Sequence, residues 1–213
     1  MAENGRGGAA SCCCSFIFTS GLTALFMWLS LRTSKPTCSI QRFYVPALNQ
    51  SQNSTANHTI SFDLKLDNGM KDKGVSYDTI NMNFSYVQQN SSRILLANYT
   101  EPGFYQGHGK KATRKNLVAD GGGVPWEAAI DAASNGSTAY FRVDLATRVR
   151  YKIMFWHTKR ESLVVGRELE VGSSGEKVKK KGIKLRSKSP ELGCHWVRVG
   201  PVAVFTFLVI LLL

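Results

Sequence analysis

The chain has 213 residues and is strongly basic, with 27 Lys and Arg against 15 Asp and Glu and a formal net charge of +12. About 150 residues lie between the first apolar segment and Ser187, which is enough for one domain with its own core. Seven N-x-[ST] motifs place that domain on the lumenal side of the secretory pathway, which excludes nucleic acid as the partner of its positive charge.

The N-terminal region contains an uncharged apolar run from Cys12 to Leu31. About twenty residues, at 1.5 Å rise per residue, match a hydrocarbon core of about 30 Å. A cleaved signal peptide would end in small residues, whereas Arg32 to Lys35 follow here, so an uncleaved signal anchor is favoured over cleavage. The flanking Lys and Arg alone put the N-terminus outside, but the glycosylation motifs put it inside. We therefore predict a cytosolic tail at residues 1–11 and a transmembrane anchor at residues 12–31.

The five cysteines lie on both sides of this predicted anchor. Cys12, Cys13 and Cys14 stand together at its cytosolic end, where they are either S-palmitoylation sites or small apolar residues that open the span. If the C-terminal tail is removed, Cys38 keeps a free thiol or links two copies of the chain through a disulfide. If the tail stays, a bridge from Cys38 to Cys194 becomes available.

The middle of the chain is predicted to be a glycosylated β domain. Residues 32–48 form a juxtamembrane linker with the first strand, and residues 49–187 form the extracellular domain. The acceptor motifs predict N-glycosylation at Asn49, Asn53, Asn57, Asn83, Asn90, Asn98 and Asn135.

Apolar and polar residues alternate in this domain in the manner of half-buried strands. The alternating runs are 60–66, 80–86, 141–145, 149–155, 163–171 and 178–185. Turn motifs such as Asn68-Gly69 separate them, and the basic, Gly-rich region 99–127 is interpreted as a long loop. No long segment shows helical periodicity. Short strands at regular spacing predict an all-β fold, an antiparallel sandwich behind a single N-terminal helix.

Two clusters carry the excess positive charge of the domain. The proposed ligand patch consists of Lys110, Lys111, Arg114 and Lys115 in the first cluster, and of Lys177, Lys179, Lys180, Lys181 and Lys184 in the second. An extracellular patch of this sign is expected to bind acidic cell-surface polysaccharide or an anionic lipid surface, although charge runs are often only solvated faces.

The C-terminus ends in about thirteen apolar residues, which are too few for an ordinary membrane span. Small residues, a spacer and an apolar tail make up a signal for glycosylphosphatidylinositol (GPI) attachment. Ser187 fits the spacing as the attachment residue and Gly193 is the alternative, so residues 188–213 are predicted to be removed. A retained interfacial tail or a buried strand are the other interpretations.

The sequence contains no complete catalytic motif. Gly103 to Lys111 resembles a phosphate-binding loop, but Phe104 and Lys111 stand where that loop requires glycine and a hydroxyl. The four histidines are dispersed, and neither paired Cys-x-x-Cys nor a nucleophile motif occurs. We expect no enzyme activity, no cofactor and no metal site.

Six blocks of the sequence occur in a fixed order and cover nearly the whole chain, namely CCCSFIFTSGLTALFMWLSL, KPTCSIQRFYVPAL, KDKGVSYDTINMNFS, ANYTEPGFYQGH, FRVDLATRVRYKIMFWHTKR and KKKGIKLR. Together they resemble the NDR/HIN-like family of plant disease-resistance proteins. The extracellular part of that family is similar to the late embryogenesis abundant group 2 domain, a fibronectin-III-like sandwich.

This resemblance implies a plasma-membrane adaptor in resistance signalling triggered by intracellular immune receptors. The short tail would associate with a membrane-bound immune regulator, while the glycosylated domain helps to hold the membrane to the cell wall. A lipid-binding or water-stress protein of the same sandwich fold is the alternative.

Overall fold

The computed structural model describes residues 6–31, 33–49, 57–88, 92–122, 126–134 and 138–187. Its helices are α1 (Arg6–Leu31) and α2 (Glu127–Ser134), with a 3-10 turn at Pro46–Leu48. Its strands are β1 (Thr37–Tyr44), β2 (Thr59–Asp67), β3 (Lys73–Tyr77), β4 (Ile80–Val87), β5 (Arg93–Glu101), β6 (Phe104–Gln106), β7 (Lys111–Asp120), β8 (Ala139–Ile153), β9 (Trp156–His157), β10 (Glu161–Val171) and β11 (Ile183–Lys184). Within these ranges, no helix has both the length and the apolar character needed to cross a membrane.

The strands follow the alternation in the sequence because one face of each is buried. In β2 the side chains of Ile60, Phe62, Leu64 and Leu66 are buried, and the residues between them are half-buried. β4 repeats the pattern with Ile80, Met82, Phe84 and Tyr86, and its alternate residues point outward. Successive side chains of a strand point to opposite faces, so this pattern places one face of each strand in a core. The prediction of an all-β fold is confirmed.

All strand pairs are antiparallel, and the sheet folds back on itself. β8 is central to one layer, since it pairs with β10 along one side and with β4 and β3 along the other. The second layer contains β1, β2 and β7. The pairing of Asn98 with Asp120 joins β5 to β7 at one margin, and the bridge from Gly166 to Arg186 lies at the other.

Aromatic rings fill the space between the two layers. The ring of Phe62 on β2 lies 4.9 Å from that of Phe84 on β4, and the ring of Phe43 on β1 lies 5.8 Å from that of Phe141 on β8. Each of these four side chains is fully buried. Burying a large apolar side chain contributes about 1.5–3 kcal/mol, so these contacts are a main source of the attraction between layers.

Three local predictions were wrong, and one short helix was not predicted. Region 99–127 is not a loop, because it holds the end of β5, β6 and all of β7; β7 is exposed along most of its length and is held by backbone pairing with β2. Segment 178–185 forms only the two-residue strand β11. The runs 141–145 and 149–155 belong to one strand that ends at Ile153, so Phe155 lies exposed in a turn. The helix α2 was not expected, because eight residues give too short a periodic pattern.

Candidate functional site

A surface cleft of about 580 Å³ lies between β10 and the segment that follows it. Its walls come from residues 167–170 of β10 and from the segment 179–186, which we call the lysine strap. The lining comprises Arg167, Glu168, Leu169, Glu170, Lys179, Lys180, Lys181, Gly182, Ile183, Lys184 and Arg186. The structure therefore brings four lysines of the second predicted cluster to one site.

Backbone hydrogen bonds fix the lysine strap on both sides of the cleft. The amide of Leu185 donates to the carbonyl of Cys38 on β1 at 2.9 Å, and the amide of Gly166 on β10 donates to the carbonyl of Arg186 at 2.9 Å. The side chain of Leu185 is buried and anchors the strap in the core. Upstream of it, the amide of Val178 donates to the carbonyl of Glu170 at 2.9 Å.

Lys177 differs from the lysines that line the cleft. Its ammonium group donates to the backbone carbonyl of Gln41 and, at 3.2 Å, to that of Lys181. Burial lowers the pKa of Lys177, although the charge of Asp63 acts in the opposite direction. This side chain therefore holds the start of the strap against β1 rather than facing a ligand.

The cleft carries a positive excess, because six of its lining residues are basic and two are acidic. The Glu168 carboxylate lies 3.4 Å from the Arg142 guanidinium and 3.8 Å from that of Arg93, and Glu170 lies 3.9 Å from Lys179. Among the described residues, no carboxylate forms an ion pair with Lys180, Lys181 or Lys184. These three ammonium groups remain available for an anion from solution.

The first basic cluster is separate from this cleft and has a different environment. Lys184 of β11 lies opposite Ser39 of β1, Ser39 opposite Lys65 of β2, and Lys65 opposite Thr113 of β7. At about 4.8 Å between neighbouring strands, three spacings put about 14 Å between the clusters. The structure does not bring the two predicted clusters into one patch.

Within the first cluster, Arg114 is held by neighbours. Its Nε lies 2.9 Å from the Glu101 carboxylate, and its guanidinium lies 4.8 Å from the centre of the Phe104 ring. The Tyr99 hydroxyl donates to the same carboxylate at 2.7 Å, and burial followed by this hydrogen bond raises the pKa of Tyr99 to about 12. Lys110, Lys111 and Lys115 are all exposed, and Lys111 lies 3.8 Å from Asp67.

Four of the predicted glycosylation sites are described. Asn83 on β4 and Asn98 on β5 are directly opposite each other on the outer face, and both are exposed. The exposed Asn57 accepts a hydrogen bond from Thr59 of its own motif at 2.8 Å, while the half-buried Asn49 donates to the Tyr44 hydroxyl at 3.1 Å. The remaining sites, Asn53, Asn90 and Asn135, lie outside the described residues.

The cysteines and the two GPI candidates also fall in different places. Cys12, Cys13 and Cys14 belong to α1, but their side chains lie outside the description. Cys38 is a free thiol that is 1% exposed, and burial raises its pKa to about 12, so its environment disfavours a disulfide between two copies of the chain. Ser187 is exposed, whereas Gly193 and Cys194 lie outside the described residues.

Sequence reasoning missed several residues of the site. Arg167, Glu168 and Glu170 line the cleft, and the alternation of β10 could have indicated that some of its charged side chains face outward. An exposed apolar turn at Met154, Phe155 and Trp156 was also missed, because the period-two pattern was extended through it. In the part of the chain that the structure describes, no three His, Cys, Asp or Glu side chains converge to hold a metal ion.

The fold and the site define a class of protein, an all-β sandwich domain with a cationic surface cleft. The chain is 47% identical over 188 residues to Protein NDR1 of Arabidopsis thaliana, which covers 86% of this chain and 84% of that protein. The chain therefore belongs to the NDR1-like family, as the six sequence blocks predicted.

Two other comparisons add little to this assignment. No family model matches the chain. A solved structure described as a crystal structure of a protein from Archaeoglobus fulgidus is 16% identical, with a TM-score of 0.37, over 54% of this chain and 83% of that one.

Proposed function

We propose that this protein is a plasma-membrane adaptor in plant disease-resistance signalling whose extracellular domain adheres to acidic cell-wall polysaccharide. Membership of the NDR1-like family supports the role in disease resistance. The observation that carries the adhesive part is the cleft beside β10, where Lys180, Lys181 and Lys184 face solution.

The chemistry of the cleft suits a polymer that bears one carboxylate per sugar. A volume of about 580 Å³ lies within the range of ordinary ligand sites. Each exposed ion pair contributes only about 0–1 kcal/mol and is screened by salt, so one sugar acid would bind weakly. A polymer presents many carboxylates to the same surface, and the effective concentration of the second contact strengthens retention.

Retention of the full-length protein on polygalacturonate beads tests this proposal. Charge reversal of Lys180, Lys181 and Lys184 to Glu should lower retention by about tenfold at low salt, since three attractive contacts become repulsive. The matched control reverses Lys110, Lys111 and Lys115, which carry the same charge but line no part of the cleft, and should lower retention by less than about threefold. Fully methyl-esterified polygalacturonate should retain none of the three proteins. Equal retention of the cleft variant and the unmodified protein would reject the proposal.

The proposed location is the extracellular face of the plasma membrane. The uncharged run of residues 12–31 would anchor the chain, with the Cys cluster as palmitoylation sites and residues 1–11 contacting the membrane-bound immune regulator. A GPI group on Ser187 or Gly193 would form a second attachment, and the seven acceptor motifs would carry glycans.

Cleavage by phospholipase C, followed by mass measurement with and without glycosidase, tests the two anchors and the glycans. A C-terminal peptide that ends in residues 201–213 would exclude the GPI group. Release of the intact chain by phospholipase C would exclude the N-terminal anchor.

A further inference from the structure

The turn between β8 and β9 presents three consecutive apolar side chains to solvent. Met154 is 77% exposed, Phe155 is 90% exposed and Trp156 is 77% exposed. Ile153 pairs with Trp156, so the turn itself consists of two residues, and Met154 adopts a positive φ of 50° that is uncommon for a residue with a side chain. We call Met154, Phe155 and the adjoining Trp156 together the apolar turn. Large apolar side chains grouped at a tip in this way mark a surface that contacts a protein or a membrane.

This apolar turn lies at the end of the sandwich where the chain leaves α1. Ile153 is opposite Lys73, the first residue of β3, which follows the loop 68–72. In that loop, Met70 accepts a hydrogen bond on its sulfur from the amide of Ser34, which comes three residues after α1 ends. The entry of the chain into the domain and the apolar turn therefore share one end of the fold.

Basic side chains surround the apolar turn. Lys71 belongs to the same loop 68–72. Lys110 lies beside this loop, because the backbone carbonyl of Lys110 accepts a hydrogen bond from the amide of Asn68 at 3.0 Å. Lys152 and Lys159 flank the turn on its own hairpin, and all four of these lysines are exposed. The acids at this end are paired, since Asp72 lies 3.7 Å from Lys73 and Asp67 lies 3.8 Å from Lys111.

We infer that the turn Met154–Phe155–Trp156, with the lysines around it, docks the domain on a lipid bilayer with anionic headgroups. Indole and phenyl rings partition to the level of the headgroups, and apolar side chains enter about 5–10 Å below it. Each lysine near an anionic surface adds about 1 kcal/mol of attraction. The inference rests on the proposed location at a membrane, because the anchor would hold this end of the domain against the bilayer.

Brominated lipids test this contact in the full-length protein. The protein is placed in vesicles of phosphatidylcholine and phosphatidylglycerol, and quenching of tryptophan emission is compared with that of Trp156→Phe. The difference in emission between the unmodified protein and Trp156→Phe is the emission of Trp156. This emission should be quenched by lipids brominated near the headgroup. The double change of Met154 and Phe155 to Ser should reduce this quenching at least about threefold, because less apolar area enters the bilayer. Matched changes of Val118 and Val164 to Ser, which are exposed on strands, should leave it unchanged.

Vesicles of phosphatidylcholine alone test the role of the lysines and should reduce the quenching about threefold; equal quenching would overturn the preference for anionic lipid. A chain that floats with the vesicles while Trp156 keeps the red-shifted emission of an indole in water would overturn the docking inference alone. A chain that does not float would overturn the proposed membrane location as well. If polygalacturonate without lipid changed the emission of Trp156, the turn would bind the polysaccharide instead of the bilayer.

Discussion

The two basic clusters look alike in the sequence, but they are used differently in the fold. In the first cluster, Arg114 is bound to Glu101 and stacked on Phe104, so its charge stabilises the margin of the sheet near β7. In the second cluster, Lys180, Lys181 and Lys184 line an open cleft, and only Lys177 is directed into the protein. A run of charges therefore does not identify a ligand site until the acids and carbonyls near each cation are known.

Among the changes that test this comparison, substitution of Gly175, which precedes the lysine strap, should cause the largest loss of stability. Its φ is +75°, and a Cβ at this position would lie 2.4 Å from the carbonyl oxygen of Val45. Gly175→Ala should lower the free energy of unfolding by about 2–4 kcal/mol, since it combines backbone strain with a clash against main chain. Urea denaturation of the full-length protein measures the loss.

Gly69→Ala is the matched control, because a Cβ at Gly69 meets nothing within 4 Å. It should change the free energy of unfolding by less than about 1 kcal/mol. Equal losses in the two variants would show that Gly175 is not needed to place the strap.

A smaller effect is expected in the first cluster from Arg114→Leu. The change leaves the Glu101 carboxylate, whose side chain is 11% exposed, with the Tyr99 hydroxyl but without its cation. Loss of a charged hydrogen bond to a mostly buried group should cost about 1–2 kcal/mol of unfolding free energy, reduced by the partial exposure of the arginine. Thermal and urea denaturation measure this loss.

The control for Arg114 is Lys115→Leu on the same strand, which removes an exposed charge and should be close to neutral. Retention on polygalacturonate should change little in both variants. A loss of retention in Arg114→Leu as large as that of the cleft variant would contradict the separation of roles.

The smallest effect should come from Lys177→Met, which keeps the aliphatic side chain and removes the ammonium group. Two hydrogen bonds to main-chain carbonyls are lost, but the desolvation that lowers the pKa of Lys177 is relieved as well. We expect a net loss of about 1 kcal/mol or less and faster hydrogen exchange at the amide of Leu185. Lys180→Met, in the exposed part of the strap, should leave that exchange unchanged. If Lys177→Met lowered retention on polygalacturonate without faster hydrogen exchange at the Leu185 amide, Lys177 would be a contact of the ligand instead.

The sequence predicted the strands that have one buried face and failed where that condition does not hold. β2 and β4 were recognised because every second residue is apolar. β7 was not, since most of its side chains are exposed and its stability comes from register with β2. Alternation also extended the hairpin through Phe155, because a period of two contains no information on where two neighbouring strands turn back.

The candidate site was predicted in part for a related reason. The lysines of the strap were evident as a run of charge, and the acids on β10 were not, because they become neighbours only when β10 and the strap flank the same cleft. The exposed turn at residues 154–156 was hidden in the same way, since its nearness to the end of α1 depends on the pairing of β3 with β8.

By itself, the sequence determined the all-β class, the family, the net positive charge and the inward faces of the main strands. These properties depend on composition and on neighbours two residues apart. Only the tertiary structure decided which cations are bound inside the fold and which face solution. Lys177 meets the carbonyl of Gln41, 136 residues away in the chain, and such contacts arise only when distant strands pack side by side.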